Sequence, residues 1–84
     1  MAKCDKLLSK ARNSPGNMRF EELCSLAGCF GWERVGGSGS HRVYMHPFFG
    51  NAVGSLMNFQ PVHGKAKPYQ VRQLLNAIDV LNHG

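Results

Sequence analysis

The sequence predicts an α+β fold: a three-stranded antiparallel sheet with helices on one face. Three observations lead there. Apolar residues recur at helical spacing near both ends of the chain and alternate with polar ones in the middle. Stretches rich in Gly, Pro, Asn and Ser punctuate the periodic segments. The length, 84 residues, suits one small domain. A chain of this size buries only about 60% of the surface its unfolded form exposes, so its core is thin and no cofactor-sized cavity or cofactor is expected. The 43% hydrophobic content is that of an ordinary folded domain.

The elements follow in order. Residues 1–12 form a short helix with Leu7, Leu8 and Ala11 on one side. Asn13-Ser14-Pro15-Gly16-Asn17 breaks it, because these are turn formers and Pro15 restricts Ser14. A second helix runs from about Met18 to Phe30. Asn17 is placed to cap it, and Glu21 and Glu22 suit the positive end of its dipole. Phe20, Leu23, Cys24 and Ala27 make its apolar stripe, and Gly31 stops it. Trp32 to Val35 is the first strand and His41 to His46 the second, ended by Pro47. Alternation puts His41, Val43 and Met45 on one face and Arg42, Tyr44 and His46 on the other. Residues 48–54 form a longer connection, and Ser55 to Val62 is the third strand, with Met57 and Phe59 opposite Leu56, Asn58 and Gln60. Pro68 opens the last helix. Val71, Leu74, Leu75, Ile78 and Leu81 form its apolar stripe through Asn82, while Gln70, Arg72, Gln73 and Asn76 take the polar face.

Two helices on one sheet face leave the other face wet, as antiparallel sheets allow. In chain order this layout resembles a double-stranded-RNA-binding domain, residues 18–84, preceded by a short helical extension and turn, residues 1–17. Ten Lys and Arg against five Asp and Glu give a net charge of +5, which favours a polyanion or an acidic protein as partner. No apolar run approaches the roughly 20 residues that span a bilayer, and the N-terminus lacks the apolar core of a secretory signal. No membrane association and a cytoplasmic location are expected. Cys4, Cys24 and Cys29 are an odd set, which argues against a closed disulfide framework and favours small buried hydrophobes. There is no C-x-x-C to join His41, His46 or His63 in a zinc site, so no metal is expected.

The segment Trp32-Glu33-Arg34-Val35-Gly36-Gly37-Ser38-Gly39-Ser40-His41-Arg42-Val43-Tyr44-Met45-His46-Pro47 carries the functional signal. It reads as strand, glycine turn, strand. Gly36, Gly37 and Gly39 supply positive φ at little cost, and His41 stands just past the turn. An imidazole there can take or give a proton near neutral pH. In a basic chain this suggests a histidine meeting a phosphodiester backbone.

The chain resembles the HicA-type toxins, the ribonuclease components of bacterial HicA–HicB toxin–antitoxin modules. The pieces that match are Gly31-Trp32, Gly39-Ser40-His41-Arg42-Val43-Tyr44-Met45-His46-Pro47, Asn58-Phe59-Gln60-Pro61, and Lys65-Ala66-Lys67-Pro68-Tyr69-Gln70-Val71-Arg72-Gln73-Leu74-Leu75, spread over about Phe20 to Leu81. The resemblance implies an mRNA-cleaving enzyme of double-stranded-RNA-binding-like fold, masked by a HicB-type antitoxin. It puts the catalytic histidine on His41 and the family's turn glycine on Gly39. Many members carry a second histidine where Arg42 stands here, which suggests phosphate contact for Arg42 and leaves His41 without that neighbour. The N-terminal helix lies outside the family's core.

RNA is cleaved without metal when its own 2′-OH attacks the adjacent phosphate, given a base, an acid and positive charge. One positioned histidine contributes about 10²–10⁴-fold, and fixed cations stabilise the charge that develops on the phosphate. His41 is the candidate acid or base. Gly39, Ser40, Arg42, Lys65 and Lys67 are the candidate substrate contacts, and the start of the last helix near Pro68 and Tyr69 also attracts anions. His46, His63, Tyr44 and Lys67 all remain open as the second proton-transfer group. Tyr44 and Trp32 are read as core packing rather than base-stacking platforms, His46 as a strand-end residue and His63 as part of a solvated loop. The alternatives to an endoribonuclease are a non-catalytic RNA-binding module and a protein-interaction module using the open sheet face.

Overall fold

The computed structural model describes residues 2–49 and 56–83. The connection expected around residues 48–54 and the start of the third strand at Ser55 therefore lie partly outside the described residues. In chain order the elements are α1 (Ala2–Asn13), a single 3-10 turn (Pro15–Asn17), α2 (Phe20–Cys29), β1 (Glu33–Gly36), β2 (Arg42–Met45), β3 (Leu56–Phe59), β4 (Pro61–Val62), β5 (Lys65–Ala66) and α3 (Pro68–His83). The described residues form an α+β fold with three α-helices and a three-stranded antiparallel sheet of order β1-β2-β3, as expected.

Helix α2 begins two residues after the predicted start. The backbone of Met18 and Phe20 is bonded elsewhere: Met18 accepts from Ala66 N at 3.0 Å, and Phe20 N donates to Gly64 O at 3.0 Å. Each backbone group needs one partner, and here the β4–β5 hairpin supplies it. Arg19 rather than Asn17 is the N-cap, and its N–H donates to Glu22 Oε1 at 2.9 Å. Asn17 instead closes the 3-10 turn, bonding Ser14 O at 2.9 Å.

The sheet alternates as its sequence predicts. Arg42 pairs with Phe59, Tyr44 with Met57, and Met45 with both Glu33 and Leu56. Tyr44, Met57 and Phe59 turn inward and are buried; Met45, Leu56 and Asn58 lie on the open face. The single strand expected from Ser55 to Val62 is two strands. At Gln60 the backbone N–H leaves the sheet and donates to Gln70 Oε1 at 3.1 Å. Pro61–Val62 then pairs with Lys65–Ala66. The two residues between them, His63 and Gly64, have φ of 52° and 80°, the left-handed pair of a tight primed hairpin turn.

The core is one cluster drawn from all three helices and the sheet: Phe59, Met18, Leu23, Leu26, Met57 and Leu74 are among its fully buried members. Each such side chain contributes about 1.5–3 kcal/mol of transfer free energy. Gln70, predicted for the polar face of α3, is 2% exposed. Its Nε2 donates to Asn58 O at 3.0 Å while its Oε1 takes the Gln60 N–H, so it ties the start of α3 to the end of β3.

Helix α1 belongs to the same core through Leu7 and Ala11. Two ion pairs fasten it, Lys10 to Glu22 of α2 at 2.9 Å and Arg12 to Asp79 of α3 at 2.8 Å. A disulfide also holds it, between Cys4 and Cys29, whose Cα atoms lie 5.9 Å apart. This corrects the reading of the cysteines as unpaired. An odd count forbids complete pairing, not one bridge; Cys29 ends α2 beside the start of α1, and only Cys24, on the apolar stripe, is a free and buried thiol.

Candidate functional site

The β1–β2 corner is built by conformations that side chains avoid. A bulge between Arg34 and Gly36 precedes it. Gly37 has φ +103°, and a Cβ there would run into the His41 carbonyl oxygen and come within 3.0 Å of Arg42 Cα. Gly39 has φ +60° with open space around it. His41 N donates to Ser38 O at 3.1 Å and closes the turn. Gly36, expected with the other two to supply positive φ, is instead the last residue of β1.

His41 emerges from this turn exposed, immediately before β2, and the strand's alternation assigns it to the open face with Val43 and Met45. Ser40 beside it is exposed as well. One step beyond the last β2–β3 pair, Arg42 with Phe59, the antiparallel register brings residues 41 and 60 to the same end of the sheet. There Lys67 Nζ donates to Gln60 Oε1 at 3.4 Å. Helix α3 begins at the next residue, and the exposed Tyr69 lies in its first turn, its hydroxyl 3.4 Å from Gln70 Nε2. Gln60 and Gln70 are absent from the sequence-based site. Gln60 lies in the Asn58-Phe59-Gln60-Pro61 piece of the resemblance and Gln70 in the piece from Lys65 to Leu75, but neither piece assigned them a role.

Arg42, expected on phosphate, has another partner. Its two terminal nitrogens each bond a carboxylate oxygen of Glu21 at 3.0 Å, and its guanidinium lies 5.0 Å from the centre of the Phe20 ring. The paired geometry raises the arginine pKa above its usual value and holds Glu21 below the usual carboxylate range. Arg42 shares the helix-facing side of β2 with Tyr44, opposite to the face assigned to His41. It joins β2 to the first turn of α2.

The other histidines divide clearly. His46 is half-buried with both ring nitrogens in use: Nδ1 accepts from Phe48 N at 3.0 Å, so Nε2 carries the proton and donates to Phe30 O at 2.8 Å. It also packs edge-on against Trp32, with ring centres 4.6 Å apart. His46 fastens the end of β2 to the end of α2. His63 is exposed at the hairpin tip. Tyr44 and Trp32 are buried, as predicted, and burial pushes the Tyr44 phenol up, with a contribution from the Cys24 thiol beside it. Of the four groups open as a second proton-transfer residue, Lys67 is the one at the His41 end of the sheet with its ammonium on a side-chain acceptor.

Lys65 is exposed in β5, where its backbone bridges that of Arg19. Lys65, Arg19 and the Arg42–Glu21 pair thus gather around the start of α2, next to the His41 corner. Among the described residues no three His, Cys, Asp or Glu side chains form a metal-binding group, and no helix is long and apolar enough to cross a membrane. No family model, no curated protein and no solved structure matches the chain.

Proposed function

We propose that the protein is a cytoplasmic endoribonuclease toxin of the HicA type, with a double-stranded-RNA-binding-like fold, acting on mRNA and neutralised by a HicB-type antitoxin. The observation that carries this reading is the exposed His41, presented by a turn built on Gly37 and Gly39 at positive φ, in a chain of net charge +5. The sequence motifs around it supply the family.

In this mechanism the ribose 2′-oxygen attacks the adjacent phosphorus as its proton passes to a base. The P–O5′ bond breaks and O5′ takes a proton from an acid. The products are a 2′,3′-cyclic phosphate and a free 5′-OH. His41 performs one of the two transfers. Lys67 and Lys65 place positive charge beside the pentacovalent phosphate, where charge accumulates. Gly39 and Ser40 offer backbone and hydroxyl contacts at the corner. Arg42 acts indirectly, fixing the start of β2 through Glu21.

The open sheet face suits the antitoxin. It presents Met45 and Leu56, the latter 58% exposed, in register beside His41's strand. A partner seated there covers apolar surface and the histidine together.

Induced expression separates this from a binding module or an interaction protein. The native chain arrests growth, the His41→Ala chain does not although it accumulates to the same level, and co-expression of a HicB-type antitoxin restores growth. Arrest by both chains removes His41 from the chemistry.

A further inference from the structure

Helix α1 has no place in the HicA-like core, yet it builds one wall of a groove against α2. An open groove of about 880 Å³ runs between α1 and α2. Lys3, Lys6 and Lys10 line one wall, spaced so that they share one face of α1; Arg19, Glu21 and Glu22 line the other. Both carboxylates are already occupied. Glu21 holds the Arg42 fork, and Glu22 holds Lys10 and the Arg19 N–H. Lys3 and Lys6 have no carboxylate partner among the described residues and are exposed. The groove is therefore cationic, with two free ammonium groups.

Its position matters as much as its charge. At the Arg19 end the groove meets β5, where Lys65 bridges Arg19. On the same wall Glu21 is bound to Arg42, the residue after His41. The groove thus runs from Lys3 to Arg19 and the Arg42–Glu21 pair on the helix-facing side of β2, one residue in sequence from His41. From Lys3 to Lys10 the helix rises about 10 Å at 1.5 Å per residue. The Cys4–Cys29 disulfide and the Lys10–Glu22 pair fix the two walls relative to each other, so the groove exists before any ligand arrives.

We propose that the α1–α2 groove binds the phosphate backbone of an RNA strand, extending the substrate site beyond the nucleotides at His41. The inference rests on the ribonuclease reading above and assigns α1 a function: it lengthens the footprint on the substrate.

The test uses the full chain carrying His41→Ala, so that RNA stays intact, and a short fluorescent single-stranded RNA followed by anisotropy from low to moderate salt. Adding Lys3→Gln and Lys6→Gln, both solvent-exposed, weakens binding tenfold or more near 0.1 M salt. It also lowers the slope of log affinity against log salt by about 1.4, two contacts at ~0.7 each. Arg72→Gln, an exposed charge on α3, leaves both quantities near their starting values. Circular dichroism confirms that the lysine variant is folded. Unchanged RNA affinity in that variant overturns the proposal, as does loss of binding to polyglutamate with RNA binding intact, which marks a dock for an acidic protein. Failure of both proteins to bind RNA overturns it too. The native chain's cleavage of the same RNA is scored separately. Cleavage with unchanged affinity in the lysine variant removes the groove and leaves the nuclease. Lysine-dependent binding without cleavage removes the nuclease and leaves the groove.

Discussion

Gly37→Ala is expected to damage the site far more than Gly39→Ala, although both glycines have positive φ and stand in the same exposed turn. At Gly39, φ is +60°, inside the left-handed basin, and an added Cβ meets nothing within 4 Å. An alanine there costs about 1–2 kcal/mol for the left-handed conformation. Lower entropy of the unfolded chain returns about 0.4–1 of that, leaving a net loss of about 1 kcal/mol. At Gly37, φ is +103°, outside that basin, and the new Cβ collides with the His41 carbonyl oxygen and crowds Arg42 Cα, both backbone atoms that cannot rotate away. Strain of about 1–3 kcal/mol is then expected, relieved only by moving the residues that carry His41. Urea unfolding reads the stability and two-dimensional amide spectra read the displacement. Gly37→Ala shifts the resonances of residues 38–43 and lowers RNA cleavage by more than its stability loss explains; Gly39→Ala shifts only its neighbours and keeps most activity. Equal behaviour of the two variants, or an unmoved His41 amide in Gly37→Ala, refutes the steric account of the corner.

Three further outcomes follow from the fold. Cys4→Ser removes a bridge across a sequence separation of 25, and the chain-entropy relation gives a loss of about 3.5 kcal/mol; dithiothreitol reproduces the loss in the native protein, while a native urea midpoint that ignores dithiothreitol contradicts the bridge. Gln70→Leu leaves the Gln60 N–H and Asn58 carbonyl without their partner and costs about 1–3 kcal/mol in urea unfolding; a neutral result dismisses the clamp. Glu22 is held below its usual 4.5, first by the Arg19 N–H and then by Lys10, and Glu21 is held low by Arg42. A depressed folded-state pKa stabilises above the unfolded value and loses that contribution as pH falls through it, so the urea midpoint declines below about pH 4.5, and Glu22→Gln flattens that decline.

The features legible in the sequence were those set by local rules. Period-two alternation separated Met57 and Phe59, which are buried, from Leu56 and Asn58, which are exposed, and the i, i+3, i+4 stripe gave Val71, Leu74 and Ile78 of α3. Illegible features were set by partners distant in the chain. Residues 18 and 19 read as helix, but the β4–β5 hairpin takes the Met18 carbonyl and the Phe20 N–H on either side of Arg19. Gln70 reads as surface on a helical wheel, yet the end of β3 needs a donor and an acceptor there. The Cys4–Cys29 bridge depends on α1 folding back beside α2, which spacing alone does not reveal. At the candidate site the turn and the exposure of His41 were readable. Arg42 was not, because Glu21 lies 21 residues away.

The most direct measurement is the chemical identity of the product ends. The purified native chain, incubated with a defined single-stranded RNA in EDTA, is followed by mass spectrometry. The account predicts fragments ending in a 2′,3′-cyclic phosphate paired with fragments beginning in a free 5′-OH, and none from the His41→Ala chain. Intact RNA with the native chain, or the same fragments from the alanine variant, contradicts it.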